Sequence, residues 1–404
     1  MTTAQSPGCR PTSLSIADLL DEASRQTGLA DFGDEPFREP LERLLAALES
    51  EAELNPFGRM AARHALLRSL KNRLWATACF KAHPEIRQRR IGSPLIVVGP
   101  IRSGTTRLQR MLATDGRFLH LAAWEGFNPA PRGTEPHSGV SARRDEVVEF
   151  LAGRRRLAPG ADAAHPMDAD WPEEEVLLLN YAFIGLSPVL LYRIPSFTSW
   201  LLAHDRRRGY REMLDLMRLV SWSRGDAEEA PWILKTPQHM LDLPLLAELI
   251  PDARFLFIHR DPVKTTASTL SLAWHSGVLN TDRPSRAYIR DTWLELCEAM
   301  ARRCIAARQV LPAERQMDVY YADMNREWRT VMRRIYDFCD TEFTTQAEAG
   351  MADWLAESER EARHGGHRYA LGEFGMTKGE VEARLGFYRE HFKVPYELDR
   401  QDRV

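Results

Sequence analysis

Gly99 and Gly104 bracket four residues in Pro94-Leu-Ile-Val-Val-Gly-Pro-Ile-Arg-Ser-Gly-Thr-Thr106, which reads as a buried strand running into a phosphate-binding loop. In a triphosphate-binding loop of this spacing, a lysine after the second glycine reaches the β- and γ-phosphates. Here that position is Thr105. The missing charge points away from ATP and its Mg²⁺. Backbone N–H groups of the turn Arg102, Ser103, Gly104, Thr105 and Thr106, at the positive end of the following helix, still suit one phosphate, and Arg102 adds a fixed charge.

Three further strand ends carry chemistry. Arg254 to Ile258 reads as a strand leading into His259-Arg-Asp-Pro-Val-Lys-Thr-Thr-Ala-Ser268, with Asp261 as N-cap and Pro262 at the first helical position. This places Arg260 at the strand end and Ser268 two turns into the helix. Met317 to Tyr321 reads as another strand, with Tyr321 at its end and a helical pattern running on through Cys339. Trp232-Ile-Leu-Lys-Thr-Pro-Gln-His239 offers a general base, because the imidazole of His239 titrates near working pH. Lys235 stands out as one of only six lysines among 54 basic residues. A second candidate base lies in Asp170-Trp-Pro-Glu-Glu-Glu-Val176. Asp170 and Glu173 have the spacing of an N-cap and its N3 acid, while Glu174 or Glu175 is free to face a pocket.

Taken together, these motifs resemble the sulfotransferases that use 3′-phosphoadenosine 5′-phosphosulfate (PAPS), in which a strand leads into Pro-(Lys/Arg)-Ser-Gly-Thr-Thr. Ile101 stands where that pattern has proline. In the family an arginine followed eight residues later by a serine holds the donor's 3′-phosphate, and Arg260 with Ser268 repeats the interval. The Tyr-Glu-Asp-Leu element, whose tyrosine lies near adenine, is matched by Tyr321-Ala-Asp-Met324. The run Lys235-Thr-Pro-Gln-His239 is similar to the Lys-Thr-Pro-x-His form of a bacterial branch, and His367 to Met376 to its short donor-closing element.

The resemblance implies in-line sulfuryl transfer to a hydroxyl of a small-molecule, lipid or carbohydrate acceptor, with an amine as second choice. Arg102 and Lys235 would stabilise the leaving oxygen, the loop would hold the 5′-phosphate, and His239, with Glu174 as runner-up, would take the proton. No metal is required by this chemistry. Two other classes stay open: a P-loop nucleotide-dependent kinase, which should need Mg²⁺ and a loop lysine, and a non-catalytic nucleotide-binding protein of the same fold.

The elements that must position these residues are an α/β arrangement, a P-loop-type parallel sheet flanked by helices. Strands are expected near 94–98, 232–234, 254–258 and 317–321. Residues 1–90 read as a helical extension packed on the core. Residues 91–404 read as the sulfotransferase domain, with a lid or acceptor-binding insertion at about 121–230. A net charge of −3 gives no general attraction to nucleic acid, and the runs Arg154–Arg156 and Arg206–Arg208 read as solvated faces. Cysteines 9, 79, 297, 304 and 339 lack zinc-ligand spacing and His364-Gly-Gly-His367 lacks companion ligands, so reduced thiols in a cytoplasmic protein are expected. Val176 to Tyr192 is apolar but interrupted by Asn180, Ser187 and Pro188, and it reads as buried structure rather than a membrane helix. No secretory signal is visible, and a homodimer stays open as an assembly.

Overall fold

The computed structural model describes residues 12–362 and 370–397. Four parallel strands, β1 (Gly92–Val98), β2 (Pro231–Lys235), β3 (Arg254–His259) and β4 (Gln316–Tyr320), lie in the order β2-β1-β3-β4. Val97 pairs with Lys235 on one side and Leu256 on the other, and Ile258 pairs with Val319. The first three strands are apolar runs rather than alternating ones because both faces of the sheet are covered. Their alternate side chains part into two cores. Ile96, Val98, Leu234, Phe255 and Phe257 enter the larger, and Leu95, Val97, Ile233, Leu256 and Ile258 the smaller.

The smaller core is closed by the helices Thr105–Leu112, Tyr321–Phe338 and Thr345–Ala362, through Leu108, Met111, Val331, Ile335 and Met351. On the opposite face, the helices Ile16–Thr27, Arg38–Ser50 and Pro56–Ala82 send Leu19, Leu41, Leu70 and Leu74 into the same cluster as Ile96 and Val98. The helices Arg207–Arg224, Pro262–Gly277 and Arg286–Arg308 contribute Met217, Leu270 and Leu296 to it. Asp261 caps the Pro262–Gly277 helix, accepting the Val263 N–H at 2.9 Å, so an N-cap followed by proline starts the helix where the sequence placed it.

Three details differ from expectation, at Tyr321, at Asp170 with Glu173 and at Arg206, while the Val176 to Tyr192 stretch is interrupted and largely buried as expected. Tyr321 opens a helix instead of ending a strand. Asp170 and Glu173 do not cap one: Asp170 pairs with Arg144, and the Glu173 N–H is taken by the Leu121 carbonyl at 2.8 Å across a bridge between Ala122 and Pro172. Val176 to Tyr192 is broken into the short helices Val176–Leu179 and Ser187–Leu191 joined by a 3₁₀ turn, and no helix among the described residues is long and apolar enough to cross a membrane. Arg206 is not a solvated charge; it is buried in a bidentate pair with Asp242, at 2.7 and 2.8 Å.

Candidate functional site

Parallel strands bring their carboxyl ends to one edge of the sheet, where loops are free to bind ligands. From the end of β1 the chain turns through Gly99 to Gly104, closed by the Ser103 N–H donating to the Pro100 carbonyl at 3.0 Å. The two glycines are there for space and for backbone freedom. A Cβ on Gly99 would lie 2.7 Å from the Ile258 carbonyl oxygen, and Gly104 has φ of +99° with its absent Cβ 2.7 Å from the Tyr321 ring. Arg102 also holds a positive φ, +70°, a region an ordinary side chain seldom adopts. Its Nε donates to Ser268 Oγ at 3.0 Å. Ser103 and Thr105 are buried within the turn.

Arg260 follows β3 and closes the loop from the other side. Its Nη1 donates to the Arg102 carbonyl at 3.0 Å, and its guanidinium lies over the Tyr321 ring, 4.0 Å from the centroid. The same guanidinium makes a two-pronged pair with Glu397, Nε to Oε1 at 2.8 Å and Nη2 to Oε2 at 3.1 Å. Arg102, Arg260, Ser268 and Tyr321 are therefore one cluster.

The end of β2 forms the other wall. Lys235 is fully buried, yet its Nζ reaches Glu174 Oε1 at 2.6 Å and Thr106 Oγ1 at 3.2 Å. Lys235 of the neighbouring strand thus reaches the helix start that follows the Gly99–Gly104 turn. Three consecutive carboxylates serve three purposes. Glu173 binds His165 at 3.1 Å, Glu174 holds Lys235 and keeps 19% side-chain exposure, and Glu175, fully buried, accepts the Lys235 backbone N–H at 2.7 Å. Burial raises the Glu173 pKa, but His165, Lys235 and Arg110 together outweigh it and hold that carboxyl below the usual range.

His239 stands behind this wall. It has no exposure; its Nδ1 lies 3.1 Å from the Tyr210 hydroxyl and its Nε2 3.6 Å from Glu175 Oε2. Burial and the nearby Asp242 push the Tyr210 phenol well above its ordinary pKa, so it stays neutral. The far edge of the His239 ring, Nε2, faces Glu175. Glu175 thus lies between His239 and the Lys235 backbone, whereas Glu174 is the carboxylate at the open side.

Tyr210 and Glu397 were not singled out from the sequence. Tyr210 reads as one more apolar position of an amphipathic helix, and Glu397 meets Arg260 from a segment with no motif of its own. Cys9, His364 and His367 lie outside the described residues, as does the start of the His367–Met376 segment; its later part forms the 3₁₀ turn Leu371–Phe374 with Leu371, Phe374 and Met376 buried. Among the described residues, no group of three or more His, Cys, Asp and Glu is placed to hold a metal ion.

Residues 94–345 match the model of the Sulfotransferase family. Among curated proteins, the omega-hydroxy-beta-dihydromenaquinone-9 sulfotransferase Stf3 of Mycobacterium bovis is 24% identical over 261 residues, covering 60% of this chain. The match spans 61% of that relative's length. Among solved structures, sulfotransferase STF1 from Mycobacterium tuberculosis H37Rv is 27% identical with a TM-score of 0.80, covering 92% of this chain and 98% of its own. Sulfotransferase STF9 from Mycobacterium avium is 26% identical with a TM-score of 0.83, covering 98% and 100%.

Proposed function

Because the chain belongs to the sulfotransferase family, we propose that it moves a sulfuryl group from PAPS to the hydroxyl of a small, lipid-like acceptor. The observation that carries this reading is the contact of Lys235 Nζ with both Thr106 Oγ1 and the Glu174 carboxylate. A phosphate loop without its own lysine receives a cation from β2, next to a carboxylate that retains exposure.

The acceptor oxygen attacks sulfur in line. The sulfur–oxygen bond to the 5′-phosphate breaks, its electron pair stays on the phosphate oxygen, and the acceptor proton passes to a carboxylate. The partial exposure of Glu174 supports it as that base in place of the buried His239. As Glu174 is neutralised by the proton, the Lys235 ammonium loses its ground-state partner and is left to stabilise the charge growing on the leaving oxygen. Arg102 adds a second cation there. Arg260 and Ser268 take the 3′-phosphate in this reading, and Tyr321 lies beside the adenine. For the acceptor, support comes from the relative named for a hydroxylated menaquinone.

Calorimetry with adenosine 3′,5′-bisphosphate and ATP, each in EDTA and in Mg²⁺, followed by turnover of labelled PAPS against ω-hydroxy isoprenoids and simple alcohols, tests the proposal. Expected are bisphosphate binding that persists in EDTA and label transfer to at least one apolar alcohol. Preference for ATP with Mg²⁺ would overturn it in favour of a kinase, and bisphosphate binding with no turnover on any acceptor would favour a binding protein.

A further inference from the structure

Glu397 and Arg260 pose a problem for any ligand that needs Arg260. Glu397 presents two oxygens to Nε and Nη2 at 2.8 and 3.1 Å, the fork-to-fork geometry with which a guanidinium also binds a phosphate. This carboxylate arrives on a fastened strap. The helix Lys378–Phe392 ends with Lys393 in the left-handed region, and Arg389 then clasps the segment that follows, its Nη1 donating to the Val394 carbonyl at 3.3 Å. Arg389 Nη2 also donates to Asp261 Oδ1 at 2.7 Å, while the Glu397 N–H donates to Asp261 Oδ2 at 2.8 Å. Asp261 is the residue after Arg260 and the N-cap of the helix carrying Ser268. The strap is thus pinned to the element that would hold the 3′-phosphate.

We infer that Glu397 is an internal phosphate mimic, a latch that occupies the 3′-phosphate position on Arg260 and is displaced when the nucleotide binds. The inference rests on the assignment of Arg260 to the 3′-phosphate. Chemically the exchange is balanced, because one bidentate anion replaces another and Arg260 is never left as an uncompensated, largely buried charge. A tethered competitor acts at a high effective concentration, so nucleotide affinity is reduced by the fraction of molecules in which the latch is closed. The latch would therefore select for nucleotides with a 3′-phosphate able to outcompete it, and it would speed release of the adenosine 3′,5′-bisphosphate product by closing behind it.

The test uses the full chain, in wild-type, Glu397→Gln and Arg260→Ala forms, titrated with adenosine 3′,5′-bisphosphate and adenosine 5′-phosphate. Glu397→Gln should tighten the bisphosphate by about 3- to 30-fold and leave the monophosphate unchanged. Arg260→Ala should erase the difference between the two nucleotides. Unchanged or weaker bisphosphate binding in Glu397→Gln, with discrimination still lost in Arg260→Ala, would overturn the latch and leave the donor site standing. Discrimination that survives Arg260→Ala would instead overturn the phosphate assignment, and the latch with it. A second measurement needs no variant: amide exchange of Tyr396 and Glu397 should speed up when the wild-type protein is saturated with the bisphosphate, and slower or equal exchange would count against displacement.

Discussion

Glu174 and Glu175 are neighbours in sequence and opposite in use. One faces an open wall with Lys235, and the other is buried between the Lys235 backbone and His239. If Glu174 is the base, Glu174→Gln should lower turnover by about 10² to 10⁴ while bisphosphate binding holds or tightens, because Lys235 loses a competing carboxylate. His239→Ala should act on the fold. It removes the imidazole partner of the Tyr210 hydroxyl in the interior, a loss of about 1–3 kcal/mol, with turnover per folded molecule largely kept. Steady-state rates on the two variants, with melting curves as control, decide between them: a folded but inactive His239→Ala beside an active Glu174→Gln returns the role to histidine. The Lys235-Thr-Pro-Gln-His239 run made His239 conspicuous by its type and spacing. Burial is what the sequence could not reveal, since a histidine after a strand reads the same whether it faces solvent or a tyrosine from a helix 29 residues away.

At the scale of elements, the three strands that were easiest to read are those flanked by helices on both faces, because such burial demands unbroken runs such as Leu95-Ile-Val-Val98 and Phe255-Leu-Phe-Ile258. The Asp170 region was misread because its acids do the bookkeeping of tertiary contacts, Arg144 and His165, and not of a helix end. The Gly99–Gly104 turn was legible in spacing, but its contact with the Tyr321 ring was not, as that ring comes from the helix after β4. Whether the turn depends on that contact is testable. Gly104→Ala imposes a positive φ on an alanine, at about 1 kcal/mol, and drives its methyl against the ring, so the turn should loosen and bisphosphate affinity should fall about tenfold or more. The clash part is shared with Tyr321. In melting experiments the stability losses of Gly104→Ala and Tyr321→Ala should therefore sum to more than the loss of the double variant, whereas strict additivity would show that the ring does not bear on the turn.

At the scale of the molecule, the question is whether the helices before β1 are a separable extension or part of the same cooperative unit. Leu19, Leu41, Leu70 and Leu74 share one core with the sheet residues Ile96 and Val98, which already argues against separation. Arg73 makes the argument sharper. Its guanidinium donates to the Phe32 carbonyl at 2.8 Å and the Tyr181 carbonyl at 3.2 Å, and pairs with Glu212 at 2.7 and 3.0 Å. It also lies 4.2 Å from the centre of the Phe37 ring. One side chain thus ties the amino-terminal segment to the 180–182 turn and to the Arg207–Arg224 helix, both within the stretch read as the insertion. Its side chain is only 9% exposed, so truncating it strands a partly buried Glu212 and several carbonyls without their donor. Arg73→Ala should cost about 3–5 kcal/mol. The more telling readout is the shape of the transition. Followed by hydrogen exchange, the amides of the helices Ile16–Thr27, Arg38–Ser50 and Pro56–Ala82 and those of β1 and β2 should lose protection together in denaturant, in wild type and variant alike. If the helix amides instead lose protection first while β1 and β2 keep theirs, the amino-terminal helices unfold on their own and form a separable unit.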